Sequence, residues 1–408
     1  MAGEKRDEIE ERDITGLKYF KDLLPLFERL HDVGCQRDKA GNRRLHMDQY
    51  CVLTLLFLFN PIVTSLRALQ QASALAKVQR TLGSPRASLG SLSEATRVFD
   101  PALLEPIIAE LLGRVPKVRD VGRGQLAHAL TAVDGSVVKT LSKIAQAAYL
   151  KNRFGESLSA WRLHTHFSID SGVPTRIDVT GGVNSGKSDE KNVLRWRLQA
   201  DHCYVTDRWF SQHQLFNDIH AIKSSYVCRV RDNANFDQII EERPLSPAAR
   251  EAGVIGDMVV RLGGKPRQRV DHPVRIVLVK TTPRVDRGRR GGGKSVPASD
   301  GCLRLAANLL DVPAEIIADI YRHRWLIELF FRFFKHILGC RHLLSHDVRG
   351  IQIQAYCAII ACLLISLTTG RQPTLRTYEM VCYYFMGWAD QEELLAHIAN
   401  LKPHAASL

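Results

Sequence analysis

The sequence predicts a mixed α/β fold with helical regions on either side. Three observations carry that expectation. Residues 126–231 alternate strand-like apolar runs with helix-like stretches. Residues 15–120 and the tail from 371 show helical periodicity broken by small polar turns. Residues 232–304 hold further strand-like runs among many Pro and Gly. The composition agrees with a packed chain: 408 residues, 45% hydrophobic and 24% charged. That length corresponds to two or three domains.

The elements follow in order. Tyr19, Leu23, Leu24, Phe27 and Leu30 recur at helical spacing. Asn60-Pro61 ends the apolar helix that follows. Ser91-Leu-Ser-Glu94 matches a capping box, and Pro101 lies beyond the next helical stretch. Short helices of this kind suit a DNA-binding domain over residues 1–125, and suit other helical bundles as well. Leu130-Thr-Ala-Val-Asp134 is a short apolar run ending at Asp-Gly, the first strand. Trp161 to Ile169 alternates as a second strand, and Ile177 to Thr180 is a third. Residues 189–199 look helical, Cys203-Tyr-Val-Thr-Asp207 is a fourth strand, 211–222 a helix and Tyr226 to Val230 a fifth strand. Three meandering strands followed by alternating helices and strands is the order of a ribonuclease-H-like core.

Residues 232–304 interrupt that order as a β-rich basic insertion, with runs at Met258 to Leu262 and Val274 to Lys280. The core resumes over 305–370, with a helix at 312–337 and an apolar helix at 350–368. A helical region closes the chain over 371–408. Cys51 to Phe59 is too short to cross a bilayer, and Tyr356 to Leu367 follows Gln352 and Gln354. Both read as buried helices, so no membrane partner is expected.

Charge and cysteines narrow the class. Lys plus Arg number 56 against 43 Asp plus Glu, a net charge of +13. That excess points to a polyanion, nucleic acid before an anionic membrane. Nine cysteines form no CxxC pair, and the first residues are charged. Reduced thiols in a cytoplasm, beside the nucleoid, are the expectation.

The chemistry centres on three acids. On one continuous helix over 312–337, with Tyr321 at zero and ~100° per residue, Arg324 falls at ~300°, Glu328 at ~340° and Lys335 at ~320°. An amphipathic helix with a solvent-facing Arg324–Glu328 pair would give the same stripe. Asp134 and Asp207 each end an apolar strand; a turn and a helix N-cap are the plain readings. If the two strands are neighbours, both carboxylates project at one level, and the helix bearing Glu328 can complete a three-carboxylate cluster. Converging carboxylates need cations. Hard oxygen ligands suit Mg²⁺, and two ions about 4 Å apart serve phosphodiester cleavage.

Tyr321-(2)-Arg324-(3)-Glu328-(6)-Lys335 resembles the Y-(2)-R-(3)-E-(6)-K signature of bacterial insertion-sequence DDE transposases, the insertion-sequence-4 group. Asp134-Gly-Ser resembles the first-aspartate block, Asp207-Arg-Trp-Phe210 the second, and Tyr226-Val-Cys-Arg229 the strand that follows. The separation of 121 positions from Asp207 to Glu328 also resembles the family's insertion. The resemblance spans about 126–370. It implies that Asp134, Asp207 and Glu328 bind two Mg²⁺ ions, with Mn²⁺ able to substitute. It also implies that Tyr321, Arg324, Lys335 and Arg229 hold DNA phosphates. The implied partners are double-stranded transposon ends and target DNA, bound by a homodimer. A structure-specific nuclease, or a non-catalytic transposase-derived DNA-binding protein, are the alternatives.

Family members that cut through a DNA hairpin stack a flipped base on an aromatic. Residues 232–304 hold one aromatic, Phe236. Trp209 and Trp325 could substitute, although Trp209 reads as a core residue. His164 and His166 read as strand surface before a metal pair. From Arg261 to Lys294 the chain carries +9 of its +13. Arg287, Arg289 and Arg290 within that run form an expected DNA-backbone clamp.

Overall fold

Strand β1 (Ala129–Lys139) runs through the Asp134-Gly135 pair instead of stopping there. The turn reading of Asp-Gly is therefore wrong; the pair lies mid-strand, with Asp134 opposite Thr165 and Gly135 opposite His164. In this computed structural model the described residues are 23–38, 41, 43–121, 126–139, 148–151, 157–181, 186–232, 234, 236–264, 269–281, 301–337 and 343–401. Tyr19 and the basic-loop residues Arg287, Arg289 and Arg290 lie outside them.

The chain first lays down α1 (Leu24–Glu28), α2 (Met47–Phe59), α3 (Leu66–Ser73), α4 (Ala76–Leu82), α5 (Leu89–Val98) and α6 (Glu105–Arg114). Helix α2 stops at Asn60, whose side-chain oxygen accepts the Ile62 N–H at 3.0 Å. The N-cap of helix α5 lies three residues before the predicted one. Ser88, not Ser91, accepts the orphan N–H of the first turn, from Ser91 at 3.0 Å.

The sheet follows: β1, then β2 (Ala148–Lys151), β3 (Ser157–Ser168) and β4 (Val173–Gly181). Helix α7 (Glu190–Trp196) leads to β5 (His202–Thr206), and α8 (His213–Ala221) leads to β6 (Ser225–Arg229). Strands β1, β3 and β4 pair antiparallel, while β1–β5 and β5–β6 are parallel. The resulting order, β4-β3-β1-β5-β6, is that of a ribonuclease-H-like core.

The insertion supplies β7 (Phe236–Glu242), α9 (Pro247–Glu251), β8 (Val254–Leu262), β9 (Val274–Lys280) and β10 (Cys302–Ala307). These strands do not form a layer of their own. Strand β10 pairs antiparallel with β6, and β9, β8 and β7 extend the same sheet outward. Arg275, counted in the basic run, is 3% exposed and grips Asp257 through Nε at 2.8 Å and a terminal nitrogen at 2.7 Å. It also donates to the carbonyls of Leu309 and Leu310. It is a buried bracket for the insertion, and so contributes no charge to a DNA clamp.

Helices α10 (Ala314–His323), α11 (Trp325–Ile337), α12 (Val348–Thr369), α13 (Leu375–Phe385) and α14 (Gln391–Ala399) complete the chain. The continuous helix expected over 312–337 is thus two helices, parted at Arg324. Helix α12 is long and apolar enough to span a membrane, but 89% of that stretch is buried within the fold. It packs between β4 and the helices α2, α5 and α6. Its Gln352 side chain accepts the Val179 N–H at 2.8 Å and donates to the Ile177 carbonyl, satisfying the edge of β4. Glu105 at the start of α6 accepts from Arg176 on β4 at 2.9 Å and from Tyr356 on α12 at 2.9 Å. One apolar cluster therefore runs from the first helices into the sheet, including Phe27, Leu53, Leu92, Ile108, Leu163 and Ile359.

Candidate active site

The period of two in a strand decides which side chains reach the site. Leu130 and Ala132 on β1, Cys203 and Val205 on β5, and Val227 on β6 all join the large cluster that also contains Ile317, Ile320, Leu326 and Phe330 of α10 and α11. Two positions beyond Ala132 is Asp134, and two beyond Val205 is Asp207. Ala132 and Val205 are register partners in the parallel pair. Both carboxylates therefore stand level, on the face that α10 and α11 cover. Arg229, two beyond Val227, ends β6 on that same face.

Helix α11 brings the third acid. Among the described positions of α10 and α11, Arg322, Trp325 and Arg332 are exposed and Leu329 is 36% exposed, which marks the solvent stripe. Tyr321, Arg324, Glu328 and Lys335 lie off it, all partly buried. The Arg324–Glu328 i,i+4 pair of the plain reading does form, but it lies beside the exposed stripe and not on it. Arg324 donates to Glu328 Oε1 at 2.6 Å, lies 3.9 Å from Asp134 Oδ2, and sits 5.8 Å from the Tyr321 ring centroid. It thus joins the strand acid to the helix acid. The break at Arg324 aims this group inward: its N–H bonds back to the Tyr321 carbonyl at 3.1 Å, a tightened turn between the two helices.

Asp134 accepts the Gly135 N–H at 2.7 Å. Burial raises its carboxyl from the usual range to about 6; the Gly135 N–H and Arg324 pull down, while the charges of Asp207 and Glu190 push up. Asp207 caps the short turn Arg208–Phe210, accepting the Trp209 N–H at 2.8 Å. The N-cap reading of Asp207 and its position at the site are both true. Burial pushes the Tyr321 hydroxyl up to about 12, with Arg324, Arg229 and Asp207 among the charges it feels. The Nε atoms of Arg229 and Arg324 are buried without a hydrogen-bond partner. Such donors suit the oxygen of an anion that the fold itself does not supply.

A fourth acid was not evident in the sequence. Glu190, 8% exposed, pairs with Arg162 and lines an open cavity of about 780 Å³ with Asp207, Arg208, Trp209, Arg231 and Asp232. Burial raises its carboxyl, as do Asp207 and Asp189, against the pull of Arg162. A Cβ on Gly135 would stand 2.2 Å from Glu190 Oε1, so a larger residue there would force the Glu190 carboxylate to shift. Glu190 hides in the sequence because an acid in the first turn of a helix needs no special reason.

Other expectations divide. Trp209 is 46% exposed with Lys191 Nζ 4.4 Å from its ring centroid, so it is not a core residue. Trp325 is 41% exposed. His164 and His166 are not on the surface. Both are buried, His164 bonding Thr180 at 2.7 Å and His166 meeting Tyr204 edge-on, and burial depresses both imidazoles to about 4.

Comparison with known proteins gives the same direction. The family profile described as Transposase DDE domain matches residues 126–364. A transposase-family protein of Sinorhizobium fredii is 25% identical over 54% of this chain and 58% of its own length. The probable transposase of insertion sequence element IS5377 from Geobacillus stearothermophilus is 25% identical over 69% of this chain and 68% of its own. An Escherichia coli insertion-sequence protein, InsL, is 23% identical over 74% and 86%. The piggyBac transposase synaptic complex with hairpin DNA aligns over 97% of this chain and 84% of that one, at a TM-score of 0.39 and 11% identity, too weak to carry residues across. The chain belongs to the insertion-sequence DDE transposases, a family of enzymes that cleave and transfer nucleic-acid strands.

Proposed function

We propose that the chain binds the terminal inverted repeats of an insertion sequence and performs divalent-cation-dependent DNA cleavage and strand transfer through Asp134, Asp207 and Glu328. One observation carries this reading: Asp134 and Asp207 stand level on neighbouring parallel strands, beneath the helix that presents Glu328, with Arg324 bridging Asp134 and Glu328. The donor set fits Mg²⁺, being all carboxylate oxygen, and the carboxyl of Asp134, raised chiefly by burial and then by Asp207 and Glu190, is one that a bound cation would stabilise in its charged form. Bound there, two such ions would activate the attacking oxygen and stabilise the leaving one. Mn²⁺ satisfies the same oxygen ligands.

The protein's own groups have separable tasks. Asp134, Asp207 and Glu328 hold the cations. The guanidinium of Arg324 and that of Arg229, each with a buried unpartnered Nε, grip phosphate oxygens beside the cleaved bond. Tyr321 stays protonated and donates from its hydroxyl. Lys335, a turn or two along α11, extends the cationic line over the backbone of the transposon end. Water attacks first, and the freed 3′-hydroxyl attacks target DNA second, which requires two ends in a homodimer. Arg287, Arg289 and Arg290, in the basic loop before β10, clamp flanking DNA. Residues 1–125 supply end recognition, and the catalytic unit divides at 231 and 304 around the insertion. On a hairpin route the freed 3′-hydroxyl would first attack the opposite strand and a second water would reopen the hairpin before target joining; the exposed Trp209 beside Asp207 is the aromatic that could stack a flipped base there.

The test is incubation of the protein with end-labelled DNA carrying the repeats that flank its reading frame. Cleavage at the repeat boundary followed by joining to target DNA supports the proposal. Cleavage without joining would make the protein a nuclease on the same fold.

A further inference from the structure

The cavity of about 780 Å³ beside Asp207 has a charge balance of its own. Its described lining comes from three places: Glu190 at the start of α7, Asp207, Arg208 and Trp209 after β5, and Arg231 and Asp232 after β6. No residue of α10 or α11, the helices flanking Arg324 and carrying Tyr321 and Glu328, is among that lining. Asp207 therefore has two sides. One is felt by Tyr321 on α10, and the other opens to this cavity. The carboxylates of the cavity are already answered, except the catalytic one. Glu190 pairs with Arg162, and Asp232 with Arg304 at 3.4 Å. Arg208 and Arg231 are exposed, and among the described residues neither guanidinium has a carboxylate partner. Lys191 Nζ, 4.4 Å from the Trp209 ring centroid, adds a third positive charge against that wall.

Guanidinium groups without a carboxylate partner suit phosphate oxygens, which arginine grips bidentately. The volume falls in the range of about 300–1,000 Å³ that takes a small ligand, so it fits a short length of one strand and not a duplex. In-line displacement at phosphorus places the attacking and leaving oxygens on opposite sides. In the function proposed above, the transposon end lies against Arg324, Arg229 and α11. The leaving half of the attacked strand then points away from α11, toward the cavity. We propose that this cavity receives the target DNA strand, with Arg208 and Arg231 holding its phosphates. The end's 3′-oxygen forms a bond to a target phosphorus, and the bond from that phosphorus to the target's own 3′-oxygen breaks. The proton of the attacking hydroxyl ends on the leaving oxygen. The inference rests on the catalytic reading and divides its DNA contacts, α10 and α11 for the end and the cavity for the target.

The test uses the full chain with Mg²⁺, precut ends carrying the repeats that flank its reading frame, and a supercoiled target plasmid. The parent is compared with Arg208→Gln and Arg231→Gln. First-strand nicking of uncut ends is measured beside joining, because nicking by water needs no attacked strand. Each variant should nick at the parent rate. The target concentration for half-maximal joining should rise roughly tenfold, the loss of one charge-assisted phosphate contact. The salt slope of target capture should fall by about one per arginine removed, and that of end binding should not change. Joining by both variants at the parent's target dependence would overturn the site. Nicking that falls by the same factor as joining would also overturn it, moving these arginines to the transposon end. A parent that nicks no ends would sink the catalytic reading, and the target site with it.

Discussion

Arg324 binds Glu328 at 2.6 Å and approaches Asp134 to 3.9 Å, so one guanidinium spans acids delivered by a helix and by a strand. Converging carboxylates are unstable without positive charge. Arg324 supplies it in the protein alone. Cations held at the acids, as proposed, would free the same fork for a phosphate, the ligand its planar geometry matches bidentately.

Lysine cannot replace that fork, being a point charge on a flexible stem. Arg324→Lys should lower cleavage by roughly tenfold or more while leaving the fold intact. The check is single-turnover cleavage alongside circular dichroism. An unchanged rate would remove Arg324 from the site.

Asp134 gives a stability prediction with a definite sign. Its carboxyl is raised from 3.8 to about 6, chiefly by burial, so the folded chain holds this proton more tightly than the unfolded chain. Stability therefore falls as pH rises from about 3.8 to about 6 and stays lowered above it. At 1.36 kcal/mol per unit the ionised group costs about 3 kcal/mol. Asp134→Asn cannot ionise, so it should raise Tm by a few degrees at pH 8 and by almost nothing at pH 4. Differential scanning fluorimetry at the two pH values decides this, and an equal shift at both would refute it. Cleavage by the parent should fade as pH drops through about 6, where the ligand protonates.

Gly135→Ala drives a methyl against Glu190 Oε1, a 2.2 Å approach. Glu190 must then leave Arg162, and overpacking of this kind costs about 1–3 kcal/mol. Urea denaturation should register that loss, and cleavage should fall with it because Asp134 is the adjacent residue. Glu190→Gln, which keeps the shape and removes the charge, should lower the Asp134 carboxyl, read as a downward shift of the pH profile.

Arg275 and Lys335 separate structure from DNA contact. Arg275→Leu strands the buried Asp257 and should cost about 3–5 kcal/mol. Lys335→Ala should reduce the salt slope of DNA binding by about one. Equal slopes for the parent and the Lys335 variant would make this lysine a helix-surface residue only.

The five core strands were legible because of their apolar runs, and their succession matched a ribonuclease-H-like core, although the pairing of the two Asp-bearing strands remained a condition. Strand ends were not. Asp134-Gly135 looks like a turn, because nothing local announces that Gly135 makes room for a carboxylate from a helix fifty-odd residues away. The break at Arg324 has no Pro or Gly to mark it; packing of two helices around the site sets it. His164 and His166 looked solvent-facing because polar residues alternate outward in most antiparallel strands, whereas this sheet is covered on both faces. Arg275 looked like part of a basic patch because charge counts carry no information about a buried partner.

The central claim concerns the three acids, and Glu328→Gln tests it most directly, since glutamine keeps the shape and a hydrogen-bonding oxygen for Arg324 while removing the charge. On end-labelled repeat DNA with Mg²⁺, the variant should bind the end as the parent does and cut it on the order of a thousandfold more slowly, the loss of several kcal/mol of transition-state stabilisation. Cleavage by Glu328→Gln at the parent rate would contradict the account.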